Sequence, residues 1–336
     1  MRIDVILEPD KSAEEVVELG QLAESLGFGA VWMPNKLDGK DIFASFAILA
    51  QATSKIKMGP IAISPFELHP IKMATSLLTL NEISKGRAII VVGGGGGTIE
   101  AMGIKPQKRM PAIRECIDII RMAAKGDIFS YKGDLYEVRK YEPTWVTQPP
   151  PTIYVGANKR KVMEFSAEVA DGIMMSDIPR PIVGDYIKMA HDKLKEQGKS
   201  VADFPINNFF AWHVKKDKEA ARREARRWLV LRGMLFPMYL RPFLDEDDVQ
   251  LVRDNMAAFF RAYAANTHVI EGVPDEVVNK LVDGLTLWGG LEDIDRIIEE
   301  LKDFQSAGLN EIALRIYEDP AECIKLIGEK IIPALS

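Results

Sequence analysis

The sequence predicts an α/β protein: a single (β/α)₈ barrel, the TIM barrel, with a small hairpin insertion and a helical insertion before the last strand. Three observations carry this expectation. Eight short apolar runs separated by helical stretches recur along the 336 residues, the pattern of parallel strands joined by crossover helices. A hydrophobic content of 47% can fill one large core. Finally, Ile56–Pro70 reads as one complete repeating unit, with an apolar strand, a loop broken at Ser64-Pro65, and a helix primed by Pro70.

Taken in order, Ile3–Leu7 is the first strand. A helix follows from Ser12, where Ser12-Ala13-Glu14-Glu15 forms a capping box, and Gly27 ends it. Gly29–Met33 is the second strand and Asp41–Ala52 its helix. Ile56–Ile63 and Ile71–Ile83 form the third pair. Arg87–Val92 is the fourth strand, followed by the loop Gly93–Gly97 and the helix Met110–Ala124. Phe129–Val146 departs from the alternation: its aromatic and β-branched residues around Lys132-Gly133-Asp134 predict a hairpin. Thr152–Val155 with Lys159–Ala170, and Gly172–Met175 with Pro181–Gln197, resume the repeat. Ile206–Val214 is the seventh strand. Glu311–Ile316 is the eighth, between helices Leu291–Ala307 and Pro320–Ile331.

From about Lys218 to Gly290 no strand-like run is expected. Helical stretches rich in bulky residues, among them Trp228, Tyr239 and Phe259, are punctuated by Gly233, Pro237 and Pro242. The segment reads either as an insertion with its own small core or as a lid whose apolar face lines a substrate pocket.

Composition narrows the function. A net charge of −6 argues against a general nucleic-acid binder. No run approaches the ~18 apolar residues of a membrane span. Met1–Glu8 carries Asp4 and Glu8 and reads as a strand, not a signal peptide. Cys116 and Cys323 lie on helical patterns without metal-like neighbours, so both are expected as packed thiols in a cytoplasmic protein. With four histidines and no close pair, no metal site is expected.

In a β/α barrel the chemistry sits at the C-terminal ends of the strands. Glu8 ends the first strand. Asn35 and Lys36, after the second, can hydrogen bond or protonate a substrate. Ser64 follows the third strand, and His69 before Pro70 reads as structural. After the fourth strand come the five glycines Gly93–Gly97, including Gly93, Gly94 and Gly95. Such a run suits close backbone approach to a flat or anionic ligand, or a mobile loop. It is neither a Walker loop nor the dinucleotide fingerprint. After the fifth strand, Gly156-Ala157-Asn158 opens a helix, and Lys159, Arg160 and Lys161 follow, the composition of an anion site. Lys105, Lys108 and Arg109 add a second basic cluster. Ser176 and Asp177 end the sixth strand.

The chain resembles the bacterial-luciferase-like superfamily of flavin and deazaflavin barrels, in particular its coenzyme F420-dependent branch, which includes methylenetetrahydromethanopterin reductase. The resemblance rests on Ala23–Trp32, Thr53–Pro60, His69-Pro70, Ile83–Ala88, Ile153–Ala157 and Ala167–Gly172, mostly within residues 1–180. It implies a non-prolyl cis peptide at Ile61–Ala62 behind the cofactor ring. It also implies a phosphate grip at Gly156, Ala157 and Asn158, a cofactor-contacting loop at Gly93–Gly97, and a homodimer. Asn35 and Lys36 stand where many deazaflavin members carry Asp-His, and Arg160 stands where the phosphate loop usually has proline. The expectation is therefore hydride transfer between coenzyme F420 and a small organic substrate. The alternatives are an FMN-dependent monooxygenase and a barrel that binds a cofactor or metabolite without turnover.

Overall fold

The structure, a computed structural model, describes residues 1–335. Its strands are β1 (Arg2–Ile6), β2 (Ala30–Pro34), β3 (Lys57–Ile61), β4 (Ile89–Val92), β5 (Phe129–Lys132), β6 (Glu137–Tyr141), β7 (Thr152–Gly156), β8 (Gly172–Ser176), β9 (Ile206–Val214), β10 (Thr286–Gly289) and β11 (Glu311–Arg315). Eight of them run parallel in the order β3-β2-β1-β11-β9-β8-β7-β4. Single bridges Met58–Ala88 and Ile63–Val92 bring β3 to β4 and nearly close the ring. These are the eight strands expected from the sequence.

Alternation along each strand sorts the side chains into two cores. Ile6, Trp32, Ile61, Val91, Tyr154, Met174 and Ala313 fill the barrel interior. Val5, Leu7, Val31, Met33, Val155 and Leu314 face the surrounding helices. Both faces are buried, which is why the strands read as continuous apolar runs.

The same alternation places polar side chains at both ends of the interior. At the N-terminal end Asp4 accepts hydrogen bonds from Trp32 Nε1 (2.9 Å) and Asn207 Nδ2 (2.9 Å), and Tyr154 donates to Glu311 (3.1 Å). At the C-terminal end stand Glu8, Arg315 and Tyr317.

The local signals act as read. Ser12 and Glu15 form a reciprocal capping box, and Gly27 ends that helix at φ 87°. His69 caps the helix Pro70–Ile83 by accepting from the Ile71 N–H through Nδ1 (3.3 Å), a structural role. The hairpin is β5–β6, and the Glu115 carboxylate accepts from the backbone of its turn at Asp134, Leu135 and Tyr136. It braces the loop after β3, because Tyr136 donates to Pro65 O (2.9 Å).

The segment 218–290 is largely helical, with helices Lys218–Arg227, Glu246–Asp254, Met256–Ala264 and Asp275–Leu285. One expectation is corrected here. The segment contains β10, which pairs with Ala211–Val214 of β9 outside the eight-stranded ring. Only four residues long and entered directly from a helix, β10 is too short to show alternation, although Gly289-Gly290 marks its end. Some of its bulky residues are buried, Tyr239 and Phe259 at 1% exposure, while Met234, Phe236, Phe260 and Tyr263 are exposed.

Both cysteines are buried free thiols. No helix among the described residues is long and apolar enough to cross a membrane.

Candidate active site

A cleft of about 630 Å³ opens at the C-terminal ends of the strands. Ile61, Val91, Met174 and Phe209, all strand residues, line it with apolar surface. The Ile61–Ala62 peptide is cis, at the position the resemblance implies. Gly93 donates to Ile63 O (3.0 Å), and a Cβ on Gly93 would stand 2.9 Å from the Ala62 Cβ. Glycine is therefore what lets the loop after β4 lie against the bulge after β3.

The five glycines have different tasks. Gly95 has φ 79°, and a Cβ there would meet Ile99 Cδ1 at 2.2 Å. Nothing lies within 4 Å of a Cβ built on Gly96 or Gly97, although both line the cleft. Their bareness leaves space for something other than the protein's own atoms.

After β7, the Ala157 N–H donates to Met174 O (3.0 Å) and the Asn158 side chain accepts from the Ser176 N–H (2.8 Å). Both groups are used internally. The helix Arg160–Val169 begins at Lys159 with no side-chain cap; the Val162 N–H donates to Lys159 O (2.8 Å), which leaves the N–H groups of Arg160 and Lys161 available to an anion. Lys159 lines the cleft together with Gly156, Ala157, Asn158 and Ser176, whereas Arg160 does not. Arg109 also lines the cleft and donates to Gly94 O (3.0 Å). Among the described residues, neither Arg109 nor Lys159 makes an ion pair with a carboxylate.

The three expected catalytic residues lie beside the cleft and do not line it. Glu8 is buried and receives Nε and Nη2 of Arg315, both at 2.8 Å, and the Lys36 ammonium. Burial alone would push the Glu8 carboxyl up, but Arg315 and Lys36 hold it below the usual range. Lys36 and Asn35 face a smaller adjoining cavity of about 220 Å³.

The Asn35 amide donates to Glu67 Oε1 (2.8 Å), which also accepts from the Ser64 N–H (2.7 Å). Glu67 and Thr98 line both cavities. Burial raises the Glu67 carboxyl above its ordinary value. The sequence reading passed over Glu67, yet Ser64-Pro65-Phe66-Glu67 carries the S-x-x-E spacing of a capping box, a usable signal.

Behind Arg315, Asp177 and Arg232 form a fully buried ion pair, Nη1 to Oδ1 2.7 Å, and Arg232 also donates to the Tyr317 hydroxyl. Burial pushes the Asp177 carboxyl up, and Arg232 opposes that shift. Arg232 thus pins the helical segment to the strand ends. No residue of 218–290 lines the cleft, and the buried apolar residues of that segment join the core that surrounds the barrel.

No group of three or more His, Cys, Asp or Glu residues among the described residues could hold a metal ion.

Residues 1–311 match the family model described as luciferase-like monooxygenase. The chain is 29% identical to a 5,10-methylenetetrahydromethanopterin reductase of Archaeoglobus fulgidus, with 100% of both chains covered. It is 25% identical to the enzyme of that name from Methanolobus tindarius, over 96% of this chain and 97% of the other. Among solved structures, the coenzyme F420-dependent tetrahydromethanopterin reductase of Methanopyrus kandleri superposes with a TM-score of 0.84 at 20% identity, covering 100% of this chain and 99% of that one. An F420-dependent secondary alcohol dehydrogenase gives a TM-score of 0.79 at 19% identity over 100% and 99% of the two chains. These superpositions show a shared fold, and the family match extends over nearly the whole barrel. The chain belongs to the luciferase-like monooxygenase family of oxidoreductases.

Proposed function

We propose that the protein is a coenzyme F420-dependent oxidoreductase that moves a hydride between the deazaflavin and a small organic substrate. One observation carries the reading. The cleft joins an apolar floor to bare glycines and to two cations, Arg109 and Lys159, that have no carboxylate partner among the described residues. Those features suit a flat ring with an anionic tail. The F420 dependence of two structural relatives, and the full-length similarity to methylenetetrahydromethanopterin reductases, support the same cofactor.

When bound, the deazaflavin supplies the hydride chemistry. Ile61, Val91, Met174 and Phe209 would exclude water from the ring. Lys159, the first turn of helix Arg160–Val169, and Arg109 would hold phosphate and tail carboxylates. The Lys36–Glu8–Arg315 chain would fix the floor of the mouth, a positioning role for the three charges.

The test is a titration of purified protein with F420 and with FMN. F420 should bind more tightly, and added salt should weaken it by screening. Lys159→Ala should loosen F420 about tenfold, the scale of one charge-assisted hydrogen bond. Equal or tighter FMN binding with formation of an oxygenated product would instead make the protein an FMN-dependent monooxygenase. Binding of neither cofactor would sink both readings.

A further inference from the structure

The adjoining cavity of about 220 Å³ has an electrostatic imbalance that the cofactor reading leaves unused. Its body is apolar, formed by Leu37, Ile42, Phe43, Ile63, Leu68 and Met102. Three charged residues also line it. The Lys36 ammonium is held by Glu8. Asp41 caps the helix Ile42–Ala52, accepting from the Ala44 N–H at 2.8 Å. Among the described residues neither Asp41 nor Glu67 makes an ion pair, but Asp41 is exposed to solvent, whereas Glu67 is half-buried.

The hydrogen-bond donors to the Glu67 carboxylate among the described residues are neutral, the Ser64 N–H and the Asn35 amide, and both go to Oε1. Among the described residues no Lys, Arg or His pairs with it. Lys36 faces the same cavity, yet its ammonium is turned to Glu8. A half-buried carboxylate held through one oxygen by neutral donors keeps its second oxygen free to pair with a cation.

We propose that this cavity seats an organic cation, the protonated nitrogen of a small amine-bearing ligand, paired with the Glu67 carboxylate while its apolar body fills the cavity. Glu67 and Thr98 also border the main cleft, so the ligand's polar end would lie next to the cofactor ring. This deepens the oxidoreductase reading by giving the substrate a chemical class. It rests on that reading only in calling the ligand a substrate. The burial that raises the Glu67 carboxyl is relieved by a bound cation as it is by a proton.

The test uses cofactor-free protein and three isosteric probes of like shape: isobutylamine, isobutanol and isobutyrate. Binding is followed by ligand-observed NMR at neutral pH and low salt. Isobutylamine should bind about tenfold more tightly than isobutanol, and isobutyrate should not bind. Glu67→Gln should erase the preference for the amine, with a thermal melt confirming the fold. If that variant does not fold, Leu68→Trp, which fills the cavity and keeps the carboxylate, must abolish amine binding. Equal binding of amine and alcohol, amine binding unchanged in a folded Glu67→Gln protein, or no amine binding would each overturn the proposal. F420 affinity is measured on the same preparations. F420 binding without amine preference sinks this inference alone, and amine preference without F420 binding sinks the cofactor reading alone.

Discussion

Arg232→Met tests how the helical segment is fastened to the barrel. The side chain is 0% exposed and so is its partner Asp177, and they meet at 2.7 Å. Methionine keeps much of the stem and removes the charge. Removing one member of a buried ion pair costs about 3–5 kcal/mol, because the remaining charge is stranded. Two donors soften the loss here: Ser176 Oγ at 3.1 Å and the Gly233 N–H at 3.2 Å still reach Asp177 Oδ2. The lower half of that range, about 3–4 kcal/mol, is therefore expected. At about 2.1 cal/mol/K of unfolding entropy per residue, a chain of 336 residues would lose about 4–6 °C in Tm.

The assay is thermal unfolding by circular dichroism at pH 7 and pH 5. Without its counter-ion, Asp177 is pushed further toward the protonated form. A carboxyl whose folded value is raised stabilises the fold at low pH, and that stability is lost as pH rises. The deficit of Arg232→Met should accordingly shrink at pH 5. Adding Asp177→Leu should recover part of the loss at pH 7. A single variant within about 1 kcal/mol of the parent, or a double variant no better than the single, would refute the claim that this pair anchors the segment.

Two further predictions concern the barrel's base and its mouth. Burial, reinforced by Asp4 and opposed by Arg2, pushes the Glu311 carboxyl up to about 7 from an ordinary 4.5. The folded protein then holds a proton that the unfolded chain releases, so stability falls as pH rises from about 4.5 to about 7. At about 1.4 kcal/mol per unit the loss is on the order of 3 kcal/mol, and Glu311→Gln should flatten the curve in urea unfolding across that window. At the mouth, Gly95→Ala should destabilise by about 1–2 kcal/mol, since alanine resists its positive φ and would meet Ile99. Gly97→Ala, in open space, should leave stability within about 0.5 kcal/mol and weaken F420 binding. The reverse order of effects in melts and titrations would show that the glycine loop has been misassigned.

The sequence by itself determined the barrel. Strand and helix periods, the Ser12 capping box and the Gly27 stop are local, and a parallel strand buried on both faces announces itself as an apolar run. The glycine loop was legible in its own composition, whereas the cis bond at Ile61–Ala62 was legible only through the family resemblance, because no single-chain pattern encodes a bond's isomer. Strand β10 escaped because its pairing depends on a distant edge of β9 and not on its own four residues.

The site was decided by tertiary structure. The sequence placed Lys36 at a strand end but could not say that Glu8, 28 residues earlier, would claim its ammonium. Nor could it say that Arg315, 307 residues after Glu8, would complete the group. The side-chain amide of Asn35 goes to Glu67 for the same reason: strand order brings the loops after β2 and β3 together. Lys159, still extended at the end of the loop after β7, lines the cleft, and Arg160, the first residue of the helix, does not. Electrostatic partners are set by proximity in space, and a buried charge takes whichever counter-ion the fold brings within reach.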